Sequence, residues 1–502
     1  MKLSAKSMIV GIAVTATVCS SIIALVLALA RHYTVELPYD TQYGMVFDAG
    51  SSHTSLFIYK WPGGKENNTG IVSQLRVCEV DGGGISSYKS DPPAAGNSLQ
   101  QCLDVAKAVI PVSKQHSCPV YLGATAGMRL LSLQDQSTTD RIMQEVSNTI
   151  KGYPFDFRGA QILSGMEEGA YGWITINYIL EGFIKYTFEG EWIHPKGGRI
   201  LGALDLGGAS TQIAFTPKEP VTQPNSEAAL QLYGHKYGVY AHSYLCYGKD
   251  QAMRQLQAYL VEESGFSAIV IHPCYHTGFN LTLTMRELYD SPCVTKPGNI
   301  DPGKSVTFFG SSDPERCLSL IQNIVNVTEC PYSPDCGFNG VYQPPIHGQF
   351  FAFSAYYYTF DFLGLAPQAP LPKVTSTIET FCKKSWYSLK VEYPGAKEKY
   401  LKDYCASAQY IVTILVQGYK FNETWDNIFF QKQVADTDIG WTLGYMLNLT
   451  NMVASTRPLV VTGVQRSQWA AEVFFIVFAL FLSLVLVMAL VFWPYEHDLN
   501  TV

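Results

Sequence analysis

The chain has 502 residues, of which 47% are hydrophobic and 15% are charged, and its formal net charge is −7. This length exceeds what one hydrophobic core comfortably supports, so we expect two lobes of about 200 residues each. The negative charge and the lack of a Lys/Arg-rich stripe argue against nucleic acid as a partner. An anionic ligand would have to be held by backbone amides, a metal ion and a few local cations.

Long apolar runs occupy both ends of the chain, from Met8 to Ala30 and from Val473 to Trp493. Each is long enough to cross a hydrocarbon core of roughly 30 Å as a helix. The first run could instead be a signal peptide, because Ala28-Leu29-Ala30 has the small-x-small pattern of a cleavage site. The apolar region of such a signal is typically about 7 to 15 residues, which is shorter than this run and favours a retained anchor.

The residues that flank the two runs indicate that both chain ends lie in the cytosol. Lys2 and Lys6 precede the first run, whereas the acidic Glu496 and Asp498 follow the second. The interpretation is a plasma-membrane protein with two spans, a lipid bilayer as partner and a large extracellular domain. The predicted parts are cytoplasmic tails at 1–7 and 494–502, transmembrane helices at 8–30 and 473–493, and stalks at 31–42 and 461–472.

The segment between the anchors has cysteines and glycosylation sequons in numbers typical of proteins in an oxidising, extracytoplasmic compartment. Of the 12 cysteines, all but Cys19 lie in it, and no Cys-x-x-Cys pair with metal spacing occurs. Disulfides are therefore expected, with one thiol left over. Five Asn-x-Thr sequons predict N-glycosylation, at Asn67, Asn280, Asn326, Asn422 and Asn448.

A phosphate-loop pattern occurs twice, as Asp48-Ala49-Gly50-Ser51-Ser52-His53-Thr54 and as Asp205-Leu206-Gly207-Gly208-Ala209-Ser210-Thr211. Each copy lies between two short apolar runs, which predicts a strand, a tight glycine turn and a second strand. Glycine and small hydroxyl residues allow backbone N–H groups to converge on an anion, and the aspartate can hold a divalent cation beside it. One copy alone would most simply be a β-turn. Recurrence at domain-scale spacing predicts two hairpins that clamp a polyphosphate.

This duplication resembles the actin, heat-shock ATPase and sugar kinase superfamily, in which two ribonuclease-H-like lobes each contribute a phosphate hairpin. The sequence has no G-x-x-x-x-G-K-[ST] motif, so it does not resemble the P-loop proteins. The resemblance implies an α/β fold with two ribonuclease-H-like lobes. We expect lobe I at 43–160, lobe II at 161–434 and a return to lobe I at 435–460.

Two further dense segments lie between the hairpins. Residues 121–129, Tyr121-Leu122-Gly123-Ala124-Thr125-Ala126-Gly127-Met128-Arg129, predict a strand, a small-residue turn and a helix, which ordinary packing would explain equally well. Residues 162–175 place Glu167 and Glu168 at a strand-to-helix junction between glycines, where a carboxylate could reach a ligand. Acidic residues at a helix start also suit the helix dipole, so the residues alone leave both explanations open.

These four segments, with the segments 353–358 and 438–446, closely resemble the cell-surface ecto-nucleoside triphosphate diphosphohydrolase (apyrase) family. The family's blocks occur in the family's order over nearly the whole chain, including both anchors. The resemblance implies hydrolysis of extracellular nucleoside tri- and diphosphates to monophosphates, with Ca²⁺ or Mg²⁺ as cofactor and with a homo-oligomer as one possibility. A Golgi-lumen nucleoside diphosphatase is an alternative. An inactive ectodomain is disfavoured because Glu168, Ser210 and Gln212 are all intact. A kinase is disfavoured because these side chains suit the activation of a water molecule as the nucleophile.

The resemblance also implies roles for single residues. Asp48 and Asp205 would hold the cation, largely through water, and Glu168 would be the general base, with Ser210 and Gln212 orienting the attacking water. The hairpins and the turn at 125–126 would bind the phosphates through Ser51, Ser52, His53, Thr54, Thr125, Ala126, Gly207, Gly208 and Ala209. The base would lie against Tyr358, Tyr404, Lys249 and Ala355. Lys249 stands where relatives often have Arg, and Tyr400 stands where some have a second Arg.

The resemblance further suggests how the cysteines pair. The implied bridges are Cys78 with Cys102, Cys246 with Cys293, Cys274 with Cys317, Cys330 with Cys336, and Cys382 with Cys405. Cys118 would then be the unpaired thiol, and we expect it to be buried.

Overall fold

The computed structural model describes residues 5–29, 33–187, 191–195, 199–298, 300–326, 335–453 and 455–492. The predicted tail at 494–502, most of the tail at 1–7 and Cys330 lie outside these residues. The chain forms two units. The terminal unit consists of Met1–Asp40 and Thr456–Val502, and the central unit consists of Thr41–Ser455.

The terminal unit contains two apolar helices and a small sheet. The helices Ala5–Leu29 and Arg466–Phe492 are both long and apolar enough to cross a membrane. The strands Tyr33–Glu36 and Val460–Gly463 pair antiparallel, so the two predicted stalks satisfy each other's backbone groups. The second helix starts before the predicted Val473, because the apolar run marks only the part that suits hydrocarbon and the polar residues before it continue the helix.

Lobe I is an α/β unit built on five strands. These are β1 (Thr41–Ala49), β2 (Thr54–Pro62), β3 (Ser73–Glu79), β4 (Pro119–Ala124) and β5 (Asp156–Ile162). Its helices are α1 (Pro92–Ser98), α2 (Gln100–Val109), α3 (Val112–Gln115), α4 (Ala126–Gln134) and α5 (Gln136–Lys151), with a 3₁₀ turn at Ile85–Tyr88. The sheet order is β3-β2-β1-β4-β5. The first three strands are antiparallel neighbours, and β4 and β5 run parallel to β1.

Lobe II and the return segment contain the remaining elements. The strands are β6 (Lys185–Tyr186), β7 (Trp192–Ile193), β8 (Gly202–Leu206), β9 (Ser210–Phe215), β10 (Glu227–Leu232), β11 (His235–Leu245), β12 (Ile269–His272), β13 (Asn280–Thr284), β14 (Ser305–Gly310), β15 (Phe350–Ser354), β16 (Ile428–Phe430), β17 (Gln433–Val434) and β18 (Thr437–Asp438). The α-helices are α6 (Gly165–Ile179), α7 (Lys249–Glu263), α8 (Met285–Tyr289), α9 (Pro314–Ile324), α10 (Ala355–Phe362), α11 (Leu371–Cys382), α12 (Trp386–Glu392), α13 (Glu398–Leu401), α14 (Tyr404–Thr413) and α15 (Trp441–Thr450). A π-helical turn, Ile414–Gly418, follows α14.

The main sheet of lobe II repeats the topology of lobe I. Its order is β10-β11-β9-β8-β15-β16, in which β8 and β9 form the second glycine hairpin and β15 and β16 run parallel to β8. In both lobes the hairpin therefore lies at the centre of the sheet, next to a parallel strand. The predicted α/β fold with two ribonuclease-H-like lobes is confirmed.

Two helices form a shared layer between the main sheets. One apolar cluster contains Val46 of lobe I, Trp173 of α6, Leu443 of α15 and Ala214 of lobe II. Helix α15 is tied to both sides, since Tyr59 of lobe I hydrogen bonds with Thr442 at 2.8 Å, and the N–H of Gly444 donates to Thr175 of α6 at 2.8 Å. Helix α15 therefore packs on lobe I and on α6.

Four of the predicted disulfides are present in the structure, and they join Cys78 to Cys102, Cys246 to Cys293, Cys274 to Cys317, and Cys382 to Cys405. The fifth pair includes Cys330, which lies outside the described residues. Cys118 is a free thiol in the lobe I core, and burial together with the nearby Asp156 raises the pKa of this thiol far above its usual range.

We predict that Cys118 is unreactive in the native protein, because the thiolate is the reactive form and burial disfavours it. Alkylation of the folded full-length protein without reductant should leave Cys118 unmodified, and alkylation after unfolding should modify it. Rapid native labelling of Cys118, or its recovery in a bridge, would contradict this assignment.

Candidate active site

The two glycine hairpins approach each other within the central unit. A Cβ atom on Gly208 would lie 2.7 Å from Ser51 Oγ, and one on Gly127 would lie 2.7 Å from Ser51 Cα. A Cβ on Gly84 would lie 2.2 Å from the carbonyl oxygen of Gly50. The tip of the first hairpin is therefore surrounded by glycines at positions where a side chain would collide with it.

Two aspartates lie at the inner ends of the hairpin strands. Burial, reinforced by the charge of Asp205, raises the pKa of Asp48 to about 7, and burial raises the pKa of Asp205 to about 6. Each carboxylate receives one side-chain hydrogen bond that opposes this shift, from Trp441 to Asp48 and from Ser354 to Asp205. Ser354 has a φ of 56°, which is a strained conformation for a residue with a Cβ.

The aspartate pair fits a divalent cation that shares its other ligands with water and substrate. The Oδ1 atoms of Asp48 and Asp205 are buried and have no hydrogen-bond partner, and native proteins rarely leave such atoms unsatisfied. Among the described residues no group of three or more His, Cys, Asp or Glu side chains could hold a metal. A pair of carboxylates completed by water and phosphate oxygens is an arrangement that Mg²⁺ commonly uses, and Ca²⁺ also takes oxygen ligands.

The two adjacent glutamates have different structural roles. Glu167 belongs to a capping box at the start of α6, in which its carboxylate accepts from the N–H of Ser164 at 2.8 Å and its own N–H donates to Ser164 Oγ at 3.2 Å. Glu168 is buried, with 8% of its surface exposed, and it points towards the second hairpin. Only Glu168 therefore faces the side chains of the second hairpin.

Glu168 lies in a network of polar side chains. Arg129 Nη2 donates to Glu168 Oε2 at 2.5 Å, and Gln212 Nε2 donates to the same oxygen at 3.2 Å. Gln212 Nε2 also donates to Ser210 Oγ at 2.6 Å and to Ser243 Oγ at 2.9 Å. Burial raises the pKa of Glu168 to about 8, the charge of Arg129 opposes this, and the charges of the two aspartates add to it.

The structure thus brings together three predicted residues, which are Glu168, Ser210 and Gln212. Two of their hydrogen-bonding partners, Arg129 and Ser243, were not predicted. Arg129 is the last residue of the 121–129 segment, and the sequence pattern assigned no role to it. Ser243 lies opposite Gln212 in the pairing of β9 with β11, so only the strand register places it in the site. A signal for the role of Glu167 was present, since Ser164 precedes it by three residues in the spacing of a capping box.

The predicted phosphate-binding residues occupy the two hairpins and the start of α4. Ser52 and His53 are exposed at the first tip, with Ser52 Oγ 3.1 Å from His53 Nδ1. The hydroxyl of Thr54 is buried and has no partner, which suits a ligand contact. The N–H groups of Thr125 and Gly207 already donate to backbone carbonyls, so these two amides are the least available to a phosphate.

The predicted base-binding residues gather on lobe II. The ring of Tyr404 stacks on Phe362 with centroids 3.9 Å apart and planes at 8°, and Tyr358 is 52% exposed. Lys249 Nζ pairs with Asp250 at 2.7 Å, and although burial lowers the pKa of Lys249, the charges of Asp250 and Asp403 raise it overall. The partner Asp250 was not predicted. Ala355 is partly buried against the lobe II core.

Comparison with known proteins gives one consistent result. The GDA1/CD39 (nucleoside phosphatase) family matches residues 34–462. Ectonucleoside triphosphate diphosphohydrolase 8 of Gallus gallus is 50% identical, with coverage of 97% of this chain and 99% of its own. Ectonucleoside triphosphate diphosphohydrolase 2 of Mus musculus is 46% identical, with coverage of 90% and 91%. A crystal structure of nucleoside triphosphate hydrolases from Neospora caninum has a TM-score of 0.60 at 15% identity, covering 86% of this chain and 95% of that one, and supports the fold alone. The family resemblance drawn from the sequence is confirmed.

We predict that Gly123→Ala disturbs both stability and activity. A Cβ atom at Gly123 would lie 2.3 Å from Trp441 Cη2, and overpacking of this kind typically costs about 1–3 kcal/mol. The displaced indole would also lose its hydrogen bond to Asp48. Thermal unfolding and phosphate release of the full-length protein measure the two effects. Gly395→Ala is the control, since nothing lies within 4 Å of its Cβ position; equal behaviour of the two variants would contradict the prediction.

Proposed function

Because the chain belongs to the GDA1/CD39 (nucleoside phosphatase) family, we propose that it hydrolyses nucleoside 5′-triphosphates and diphosphates to monophosphates and phosphate. The observation that carries this proposal is the buried Glu168, held by Arg129 and Gln212 beside the two facing hairpins. The names of the relatives of types 8 and 2 support the same activity.

Glu168 is the general base in this proposal. Its carboxylate takes a proton from a water molecule held by Ser210 and Gln212, and the water oxygen attacks the terminal phosphorus. The bridging P–O bond breaks, and the shortened nucleotide leaves with the electron pair. Arg129 favours the ionised form of Glu168, which a base requires, and fixes the direction of the carboxylate. No phosphoenzyme is formed, so catalysis depends on positioning and on neutralisation of charge.

Asp48 and Asp205 are the residues that would hold Ca²⁺ or Mg²⁺. When bound, the cation would neutralise charge on the phosphate oxygens. The hairpins fix the polyphosphate through their backbone and hydroxyl groups, and Trp441 and Ser354 set the orientation of the two carboxylates. Hydrogen-bonding partners of metal ligands of this kind usually matter nearly as much as the ligands themselves.

We further propose that the enzyme acts outside the cell, with two membrane anchors and both termini in the cytosol. The two apolar helices, the disulfides and the exposed sequons at Asn67, Asn280 and Asn422 support this placement. Asn326 and Asn448 are half-buried in the folded chain. Phosphate release from intact cells supplied with ATP, ADP or UDP, with Ca²⁺ or with EDTA, tests the activity and its location together. Activity that appears only after permeabilisation would favour the Golgi-lumen alternative.

Glu168→Gln should reduce turnover by about 10² to 10⁴, because this is the usual contribution of a general base. Nucleotide binding should persist, since the amide keeps the shape of the side chain. The matched control is Glu167→Gln, whose loss affects the capping box and not the cleft. Steady-state phosphate release and nucleotide binding of the two variants distinguish these roles. Equal and mild losses in both variants would place the base elsewhere.

Trp441→Phe should raise the concentration of divalent cation that activity requires, because the phenyl ring cannot donate a hydrogen bond to Asp48. Loss of such a partner typically lowers metal affinity by about 10- to 100-fold. The concentration of Ca²⁺ or Mg²⁺ that gives half-maximal activity is the measurement. Trp425→Phe is the control, since the Trp425 indole donates to the carbonyl of Ala369, away from the site. An unchanged cation requirement in Trp441→Phe would indicate that Asp48 does not bind the metal ion.

Tyr404→Ala should weaken ATP and UTP alike. Its ring is held flat by Phe362, which leaves the opposite face for a base; stacking of this kind is worth about 1–3 kcal/mol and does not depend on the base. The KM values for the two nucleotides should therefore rise by about tenfold each. Tyr387→Ala is the control, because Tyr387 is 78% exposed on α12. A loss confined to one nucleotide would show that Tyr404 discriminates between bases.

A further inference from the structure

A small sheet on lobe II has one apolar face in solvent. Strands β12, β14 and β13 form a three-stranded sheet in that order. On its inner face, Val270 and Phe308 are buried in the lobe II core. On its outer face, Ile269 is 61% exposed, Ile271 is 59% exposed and Phe309 is 41% exposed. A group of exposed apolar side chains on one sheet face is a candidate site for contact with a covering group or a partner.

The strand register places a sequon in this exposed row. Ile271 pairs with Phe309 on one side, and Phe309 pairs with Asn280 on the other. One row along, Thr282 pairs with Thr307, and their hydroxyl oxygens are 2.9 Å apart. Because side chains two residues apart share a face, this contact shows that Asn280 is on the outer face too. Directly paired residues have Cβ atoms about 4.5–5.5 Å apart.

We propose that an N-linked glycan on Asn280 folds back over Phe309 and Ile271 and is the cover of this face. Glycosylation joins the Asn280 amide nitrogen to the anomeric carbon of an oligosaccharide. The diphosphate lipid that carried the oligosaccharide leaves, and the amide loses one proton. The first N-acetylglucosamine then starts one cross-strand spacing from the exposed ring. A sugar has an apolar C–H face, which gains from leaving water against the π face of an aromatic ring.

Asn280 also argues against a protein partner as the occupant. A glycan attached at the end of the row, next to Phe309, would have to be displaced before another chain could pack on Phe309. Ile269 and Ile271 lie on the far side of Phe309 from Asn280, within reach of the second sugar. The inference requires the extracytoplasmic placement proposed above and goes beyond the hydrolytic activity.

Hydroxyl-radical labelling of the full-length protein, read by mass spectrometry, measures the exposure of the Phe309 side chain. In Asn280→Gln the oxidation of Phe309 should be about twofold faster than in the wild type, because a stacked sugar covers one of the two ring faces. Asn422→Gln is the matched control, since it removes an exposed sequon outside this sheet and should leave the oxidation of Phe309 unchanged. Equal oxidation rates in wild type and Asn280→Gln, whether both slow or both fast, would overturn the proposal.

Trimming the mature wild-type glycoprotein avoids the risk that Asn280→Gln fails to fold. An endoglycosidase that leaves one N-acetylglucosamine should keep Phe309 protected, whereas an amidase that removes the whole glycan should release the protection. Glycopeptide mapping accompanies both treatments. An unmodified Asn280 beside glycosylated Asn67 and Asn422 would overturn this inference alone. The absence of glycan at all three would overturn the extracellular placement as well.

Discussion

The structure depends on holding three carboxylates close together in a cleft from which water is largely excluded. Burial raises the pKa values of Asp48, Asp205 and Glu168, and the two aspartates add to the cost of ionising Glu168. Each carboxylate therefore has a dedicated donor, which is Trp441, Ser354 or Arg129 respectively. The donors Arg129, Ser354 and Trp441 come from three segments that are far apart in the sequence. The site around the three carboxylates therefore forms only when the central unit is folded.

Helix α15 explains how assembly and chemistry are linked. Its first residue donates to Asp48, and its next turns pack on lobe I and on α6, the helix that carries Glu168. The interior requires glycines at these contacts, since a Cβ on Gly444 would lie 2.0 Å from the carbonyl oxygen of Tyr171. A shift of α15 would move Trp441 and α6 together. Asp48, the proposed cation ligand, and Glu168, the proposed base, are therefore positioned by one packing arrangement.

Local patterns predicted the two glycine hairpins, because glycine turns and apolar strands are encoded over a few residues. The roles assigned to Glu168, Ser210 and Gln212 came from the family resemblance and not from local patterns. Ser243 could not be predicted, since its place in the site depends on the register between β9 and β11. The pairing of Lys249 with Asp250 was missed because adjacent opposite charges on a helix surface usually both face solvent, whereas here the Lys249 side chain is only 20% exposed. The family resemblance separated Glu168 from Glu167, and the capping-box spacing from Ser164 would have separated them from the residues alone.

The charges around the cleft imply that cation and nucleotide bind interdependently. Asp48, Asp205, Glu168 and Asp250 supply four carboxylates, against the cations Arg129 and Lys249. Both cations are already paired with a carboxylate, so a polyphosphate that enters alone meets uncompensated negative charge from the two aspartates. In the proposed mechanism, a divalent cation held by those aspartates would remove this repulsion, and phosphate oxygens would supply some of its remaining ligands. By linkage, each ligand must then raise the affinity for the other by the same factor.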